Sequence, residues 1–400
     1  SGTTSATRWV NQTNGSTLTS FDGYEITQPV AKTITFNGVL EVGDLSRQLS
    51  YTVADTSYSG QNLLSNPYAS AIDITKLTFG SETERTVYLY NTGSLADWQT
   101  QTGSDWSPGQ YVSIPLDLAN ATAPAGITRE IPSMQGFLVK KLHNDETNLS
   151  NFSISIPYSS VLTKNTSPLR VRPPGNKGLP LTIIDVAGSR YSDRMWVYTV
   201  PTCTHGFDNG WDGEKFLGSS LTPQIYAMES YGDYQVNSVN DIGSTEIGFQ
   251  AGEDSIYTLT FTNENVENHY SELYLLDLQD NKIVDILQSG TKYSFTAHPS
   301  TDLIKRFKII SSSISIDAVI PVSETENLKV FSSQNDVVVK NMSDIPGELT
   351  LYDIEGRMLQ KFKFIANGVT TIPMNLPAGV YLAKGKTSQE EVMKRLLIKK

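Results

Sequence analysis

Gly347–Phe364 reads GELTLYDIEGRMLQKFKF, two strand-like runs with Glu355-Gly356 between them. A tight hairpin turn demands positive φ, which glycine adopts without steric cost, so this stretch predicts a β-hairpin. Asp280-Asn281 and Asn367-Gly368 stand between strand-like runs in the same way. Outward from these marks, TITFNGVLEV, RTVYLYN, QGFLVKK, FSISIPY, LPLTIIDV, RMWVYTV, SIYTLTFT, ELYLLDL and RFKIISSS are short, β-branched or aromatic, and bounded by Gly, Pro, Asn or Asp. No amphipathic helix longer than about three turns stands out. The expected fold class is all-β.

Four hundred residues exceed what one hydrophobic core organises, and 38% hydrophobic residues suffice to bury two or three. Charged residues make up only 18%, against a usual level of about 25%, a composition of water-facing strands and turns. The net charge is −11; residues 314–400 carry 11 basic and 10 acidic side chains, which leaves −12 on the body before them. A body of that sign repels phosphate backbones and anionic lipid, and no Lys/Arg cluster interleaves with aromatics, so nucleic acid is not an expected partner. Cys203 is the single cysteine, so no intramolecular disulfide and no zinc spacing exists. No apolar run approaches the roughly 18 residues of a membrane helix, so the chain is not expected to span a membrane; the polar start SGTTSATRW does not read as a signal peptide.

Two breaks divide the chain. VLTKNTSPLRVRPPGNKG (161–178), with Pro173-Pro174 and a Gly-Asn-Lys-Gly run, favours an extended connector. ISIDAVIPVSETENLKVF follows a complete strand series, so a second boundary falls near Ser313. Three consecutive β-sandwich modules, of jelly-roll or Ig-like Greek-key type, are expected at 1–165, 166–313 and 314–400.

In the last module LKVFSS, DVVVKN, GELTLYDIEGRMLQKFKF, GVTTIPM, GVYLAKG and EVMKRLLIKK make about seven strands. The LYDIEGRML hairpin, LPAGVYLAK (376–384) and the basic-apolar last strand resemble the C-terminal type A sorting domains of bacterial type IX secretion cargo. The resemblance implies recognition in the periplasm of a Gram-negative bacterium, passage through the outer membrane by the type IX machinery, and frequent cleavage of the domain. It makes Gly379, Val380, Tyr381, Lys394, Arg395, Lys399 and Lys400 the sorting signal. Where many such domains open with a Tyr-Pro-Asn-Pro-like turn this chain has VFSSQNDVVV, the mark of a divergent subtype. NLLSNPYASAID (62–73), IPSMQGFLVK (131–140), SDRMWVY, HGFDNGWDGEKF and TDLIKRFKI look like the β-rich region that precedes such domains in large surface proteins, which implies surface display and sometimes adhesion.

Three groups of residues are candidates for chemistry. HGFDNGWDGEKF (205–216) concentrates Asp208, Asn209, Asp212 and Glu214, hard oxygen donors able to wrap calcium; position 3 from Asp208 is Gly210 and position 12 is Ser219, so the calcium-loop pattern fails and an Asx-Gly turn is the competing reading. ADWQTQTGSDWSPGQY (96–111) presents Trp98, Trp106 and Tyr111 in a polar segment, flat apolar faces with a polar rim of the kind that grips a glycan or a peptide; the competing reading folds them over a sheet edge. Cys203 and His205 share a strand end without an orienting third group, and a half-buried cysteine is the plainer account. There is no nucleophile elbow, zinc-binding helix, phosphate loop or dinucleotide fingerprint.

The expectation is a non-catalytic, cell-surface or extracellular protein for adhesion or ligand binding, with extracellular glycan or a host or matrix protein as partner and no cofactor beyond calcium. The alternatives are the non-catalytic C-terminal portion of a longer secreted enzyme and a structural surface-layer component.

Overall fold

The computed structural model describes residues 10–13, 15–26, 33–52, 58–91, 110–121, 129–142, 148–161, 178–243, 245–297, 304–313, 327–333 and 336–398. The fold is all-β, as the turn and strand signals require. Two compact units are present: one of residues 1–177, 207–219 and 234–237, the other of residues 178–206, 220–233 and 238–400. The stretches 207–219 and 234–237, which the sequence reading places in a middle module, thus pack with the first unit.

In the first unit the elements run β1 (Leu45–Gln48), β2 (Asn62–Ser65), β3 (Ile72–Asp73), β4 (Thr78–Phe79), β5 (Thr86–Asn91), β6 (Gln110–Pro115), helix α1 (Leu116–Ala121), β7 (Glu130–Ile131), β8 (Gly136–Val139) and β9 (Ser153–Ile156). They form sheets of order β2-β8-β5-β6, β1-β9-β4 and β3-β7. The segments 62–73 and 131–140 lie together, with Asn62 opposite Val139 and Ile72 opposite Ile131. Buried Asn66 fastens them: its Nδ2 donates to the carbonyls of Ser70 at 2.9 Å and Ile131 at 3.0 Å, and its Oδ1 accepts the Tyr68 N–H at 3.0 Å. A buried amide with both ends bonded holds a loop that has no ladder of its own.

Onward come β10 (Leu181–Ala187), β11 (Ser192–Thr199), β12 (Gly213–Glu214), β13 (Gln224–Glu229), β14 (Gly232–Val239), β15 (Glu246–Gln250), β16 (Ile256–Glu264), β17 (Tyr270–Asp277), β18 (Lys282–Asp285), β19 (Lys292–Thr296) and β20 (Lys305–Ser313). The large sheet has the order β18-β17-β20-β15-β13-β14-β11-β10-β16-β19. Tyr257, Leu259 and Phe261 alternate inward along β16, as do Tyr293 and Phe295 on β19. Phe249, Phe295 and Phe307 meet edge to face, with ring centroids 5.1 Å apart for the first pair and 5.2 Å for the second. Burying each such ring is worth about 1.5–3 kcal/mol.

Within the second unit the chain ends in β21 (Leu328–Ser333), β22 (Asp336–Asn341), β23 (Gly347–Tyr352), β24 (Met358–Phe364), β25 (Gly368–Pro373), β26 (Gly379–Lys386) and β27 (Glu391–Ile398). Sheets β21-β22-β25 and β24-β23-β26-β27 enclose Leu328, Val330, Val337, Val339, Leu349, Leu351, Phe364, Ala383 and Leu396, the core of a sandwich. β23 and β24 pair as the hairpin read at the outset, with Gly356 at φ +82°. Asn367, at φ +47°, also turns the chain, yet β24 pairs with β23 while β25 pairs with β22, so this turn crosses between sheets and makes no hairpin. TITFNGVLEV (33–42) is a second departure: it forms no strand among the described residues, and Phe36, Leu40 and Val42 are exposed, with Val39 99% exposed. Strand-forming side chains need a partner strand to hold them in a ladder, and among the described residues this stretch pairs with none.

Candidate functional site

The antiparallel pair β5–β6 sets Tyr90 directly opposite Tyr111, with ring centroids 5.1 Å apart. Phe216, just after β12, stands edge-on to Tyr111 at 5.2 Å and packs on Tyr88 at 4.5 Å. Tyr90, Tyr111 and Phe216, with Gln110, Leu217 and Ser219, line a cleft of about 220 Å³ in the first unit. That volume lies below the usual range for drug-sized ligands, about 300–1,000 Å³, and suits one sugar ring or one side chain. Burial, then Tyr90 and the acidic Glu25, raises the Tyr111 phenol, so it stays protonated and able to donate at neutral pH. An apolar ring face beside amide and hydroxyl groups is the chemistry of a polar ligand with one flat apolar side.

Behind the cleft lies a buried charged cluster. Glu84 accepts from the Tyr88 hydroxyl, and Lys140 Nζ sits 3.7 Å from Glu84 Oε2 while bonding Glu214. Burial pushes the Glu84 carboxyl up to about 7, with Lys140 pulling against it. Burial draws Lys140 down, yet the carboxylates of Glu84 and Glu214 outweigh it and leave the amine raised. The next residue repeats the pattern, Lys141 pairing with Glu82 at 3.0 Å. Ionisable groups so buried are tolerated because each is paired and hydrogen-bonded.

The oxygen-rich loop engages protein donors. Asp212 Oδ2 accepts the Asp208 N–H at 2.7 Å, Asn209 Oδ1 accepts the Arg85 N–H at 2.7 Å, and Glu214 takes Lys140. The Asp212 carbonyl accepts the Thr86 hydroxyl at 2.9 Å, and Gly210, at φ +90°, accepts the Asp117 N–H at 2.8 Å. Among the described residues no three His, Cys, Asp or Glu side chains converge as a metal site. These contacts fix the turn that carries Phe216 to β5 and β6, a role its sequence conceals because the strands it serves lie far upstream.

Of the aromatic candidates, Tyr111 is a cleft wall; Trp98 and Trp106 lie outside the described residues. Sequence reasoning missed Tyr90 and Phe216, whose only signal was strand register and position after a turn. Cys203 is buried, and His205 Nδ1 lies 3.4 Å from Glu229 Oε1, a hydrogen bond that raises the imidazole against the opposing effect of burial. At the C-terminal end β26 and β27 bring the residues expected to form a sorting signal into one hairpin: Gly379, Val380 and Tyr381 face Ile398, Leu397 and Leu396, while Lys394 and Arg395 face Ala383 and Leu382. The Tyr381 hydroxyl donates to the Pro377 carbonyl at 2.8 Å; Lys399 and Lys400 lie outside the described residues.

Fold and cleft define an all-β, multi-module protein with a small aromatic ligand-sized cleft. Residues 2–310 match the family model described as a domain of unknown function, DUF8693, and the chain belongs to that family. It is 32% identical over 390 residues to the minor fimbrium subunit Mfa5 of Porphyromonas gingivalis, covering 90% of this chain. The chain spans about 30% of the length of that relative. A solved biofilm associated protein, BSP domain, aligns over 90% of this chain and 66% of its own at 10% identity and a TM-score of 0.19, too low to argue a shared fold. Among the described residues no helix is long and apolar enough to cross a membrane.

Proposed function

We propose that this chain belongs to a non-catalytic, cell-surface adhesion protein that binds a glycan or a protein side chain in the Tyr90–Tyr111–Phe216 cleft. In the same reading its C-terminal module directs type IX export through the outer membrane. The observation that carries the adhesion reading is the 32% identity, along 90% of the chain, to a protein named as a fimbrium subunit. The cleft supplies a place for the contact, and the paired β26–β27 hairpin supplies a folded edge for export machinery to read.

Glycan and matrix-protein arrays probed with the chain test the adhesion half. A hit that Tyr111→Ala and Phe216→Ala each abolish, with the fold retained by circular dichroism, is the expected result. Binding that survives both substitutions, or arrays without a hit, would overturn it. A second reading, a structural component of a surface assembly, is favoured by the exposed apolar side chains of 33–42, because exposed apolar patches promote association.

A further inference from the structure

The strands β21 and β22 are buried on both faces. Leu328, Val330, Val337 and Val339 point into the core of the C-terminal sandwich. The intervening Phe331, 6% exposed, and Val338, 1% exposed, point the other way. There they join Tyr274 and Ile310 of β17 and β20 in one cluster, with Leu276, Ile283 and Val369 packed around it. The rings of Tyr274 and Phe331 lie 5.8 Å apart. A free-standing two-sheet module would turn that outer face to water and carry polar residues there.

Around this apolar centre runs a charged rim. Lys340 Nζ lies over the Tyr274 ring, 4.1 Å from its centroid, and Lys329 Nζ is 3.4 Å from Glu272 Oε1. Burial raises the Glu272 carboxyl and lowers the Lys340 amine, so both groups are partly dehydrated by the contact. An apolar centre ringed by charged contacts is the anatomy of a binding interface, and aromatic anchors such as the Tyr274–Phe331 pair dominate the energy of such surfaces.

We propose that the face of β17, β18 and β20 centred on Tyr274 is a binding seat whose ligand is the C-terminal module, residues 327–400, held by these contacts and not by its tether. Cutting the chain within residues 314–326 then leaves the module in place, and only its later displacement uncovers the apolar face. If the module is also an export address, severing it and releasing it are two separate events. The seat rests on packing alone, so it stands or falls independently of the export reading.

The experiment uses the full chain with a protease site placed within residues 314–326. After cutting, the two fragments are expected to co-elute at the mass of the uncut chain, 44.0 kDa, in size-exclusion chromatography with mass detection. Fragments that separate would overturn the proposal. In the cut chain, Phe331→Asp and Tyr274→Asp are each expected to weaken retention by roughly 30-fold or more, the fold-change typical of losing an interface anchor, and to make the body fragment bind an apolar-site dye. Tyr274→Asp leaves the module's own sequence intact, so release by that variant separates loss of the seat from misfolding of the module. Phe331→Leu is expected to retain it. Retention unchanged in both aspartate variants, or a released body that binds no dye, would overturn the assignment of this face.

Discussion

Asp277 and Arg306, both 0% exposed, pin the strands that carry the seat, and the ion pair between them invites an asymmetric perturbation. Asp277 Oδ2 accepts Arg306 Nε at 3.2 Å, Arg306 Nη2 at 3.1 Å and the Tyr293 hydroxyl at 2.9 Å. Its Oδ1 accepts the backbone N–H groups of Gln279 at 2.9 Å and Asp280 at 3.0 Å, closing the β17–β18 turn. The guanidinium also donates to the Thr296 carbonyl at 2.8 Å and lies over the Phe295 ring, 4.4 Å from its centroid. Asp277→Ala removes five acceptor contacts and leaves the guanidinium with Asp280, a half-exposed carboxylate at 3.2 Å. Breaking a buried pair by deleting one partner costs about 3–5 kcal/mol, because the remaining charge keeps its desolvation penalty without its counterion. Arg306→Met leaves Asp277 in the same predicament and is expected to cost a similar amount. Asp277→Asn combined with Arg306→Met keeps the acceptor that closes the turn, removes both charges and sets an apolar side chain on Phe295; it is expected to cost less than either single change. Urea unfolding at pH 7 of these three variants and of Asp277→Asn alone, with the slope checked for constancy, gives the four values. A cost below about 1 kcal/mol for Asp277→Ala, or a double variant whose cost equals the sum of its singles within about 0.5 kcal/mol, would refute the view that these charges hold each other.

Glu84 has a folded-state pKa of about 7, above its ordinary value of 4.5, so burial favours its neutral form and folding is weakened as pH rises across that window. The shift corresponds to at most about 3 kcal/mol, and Glu84→Gln is expected to flatten the decline; urea midpoints at pH 5 and pH 7.5 that move equally in both proteins would contradict this. Gly210 sits at φ +90°, where a Cβ would also come within 2.6 Å of Asp117 Oδ2, so Gly210→Ala is expected to lower stability by about 1–3 kcal/mol and to loosen the loop that carries Phe216, read as faster proteolysis within 207–219.

Turn chemistry was legible and strand partnership was not. Asn281 at φ +52° and Gly356 at φ +82° close hairpins where their dipeptides predicted them, because the requirement for positive φ is local. Asn367 obeys the same requirement but hands the chain to another sheet, a choice made by the burial of Phe364 and Ile372 in the sandwich core. TITFNGVLEV has the composition of a strand and pairs with no strand among the described residues, and pairing cannot be read from one segment alone. The cleft was legible only through Tyr111. Phe216 reaches it by a turn whose oxygen atoms, in sequence, look the same whether they bind a cation or backbone N–H groups. Hidden in the sequence are the Arg85 N–H on Asn209 and Lys140 on Glu214, contacts across more than 70 residues.

DVVVKN held one signal that turn and strand propensities alone do not convey. In a strand exposed on one face, apolar and polar residues alternate, whereas Val337, Val338 and Val339 are apolar in succession and all are buried. Such a run states that the strand is covered on both sides. One cover is the partner sheet of its own sandwich, which accounts for Val337 and Val339. Val338 requires a second, and a seven-strand sandwich has no third layer to provide it. Tyr274 and Ile310 do. The consecutive valines are therefore a sequence-level record of the seat, and they explain why a module with its own complete core still carries apolar residues on an outer face.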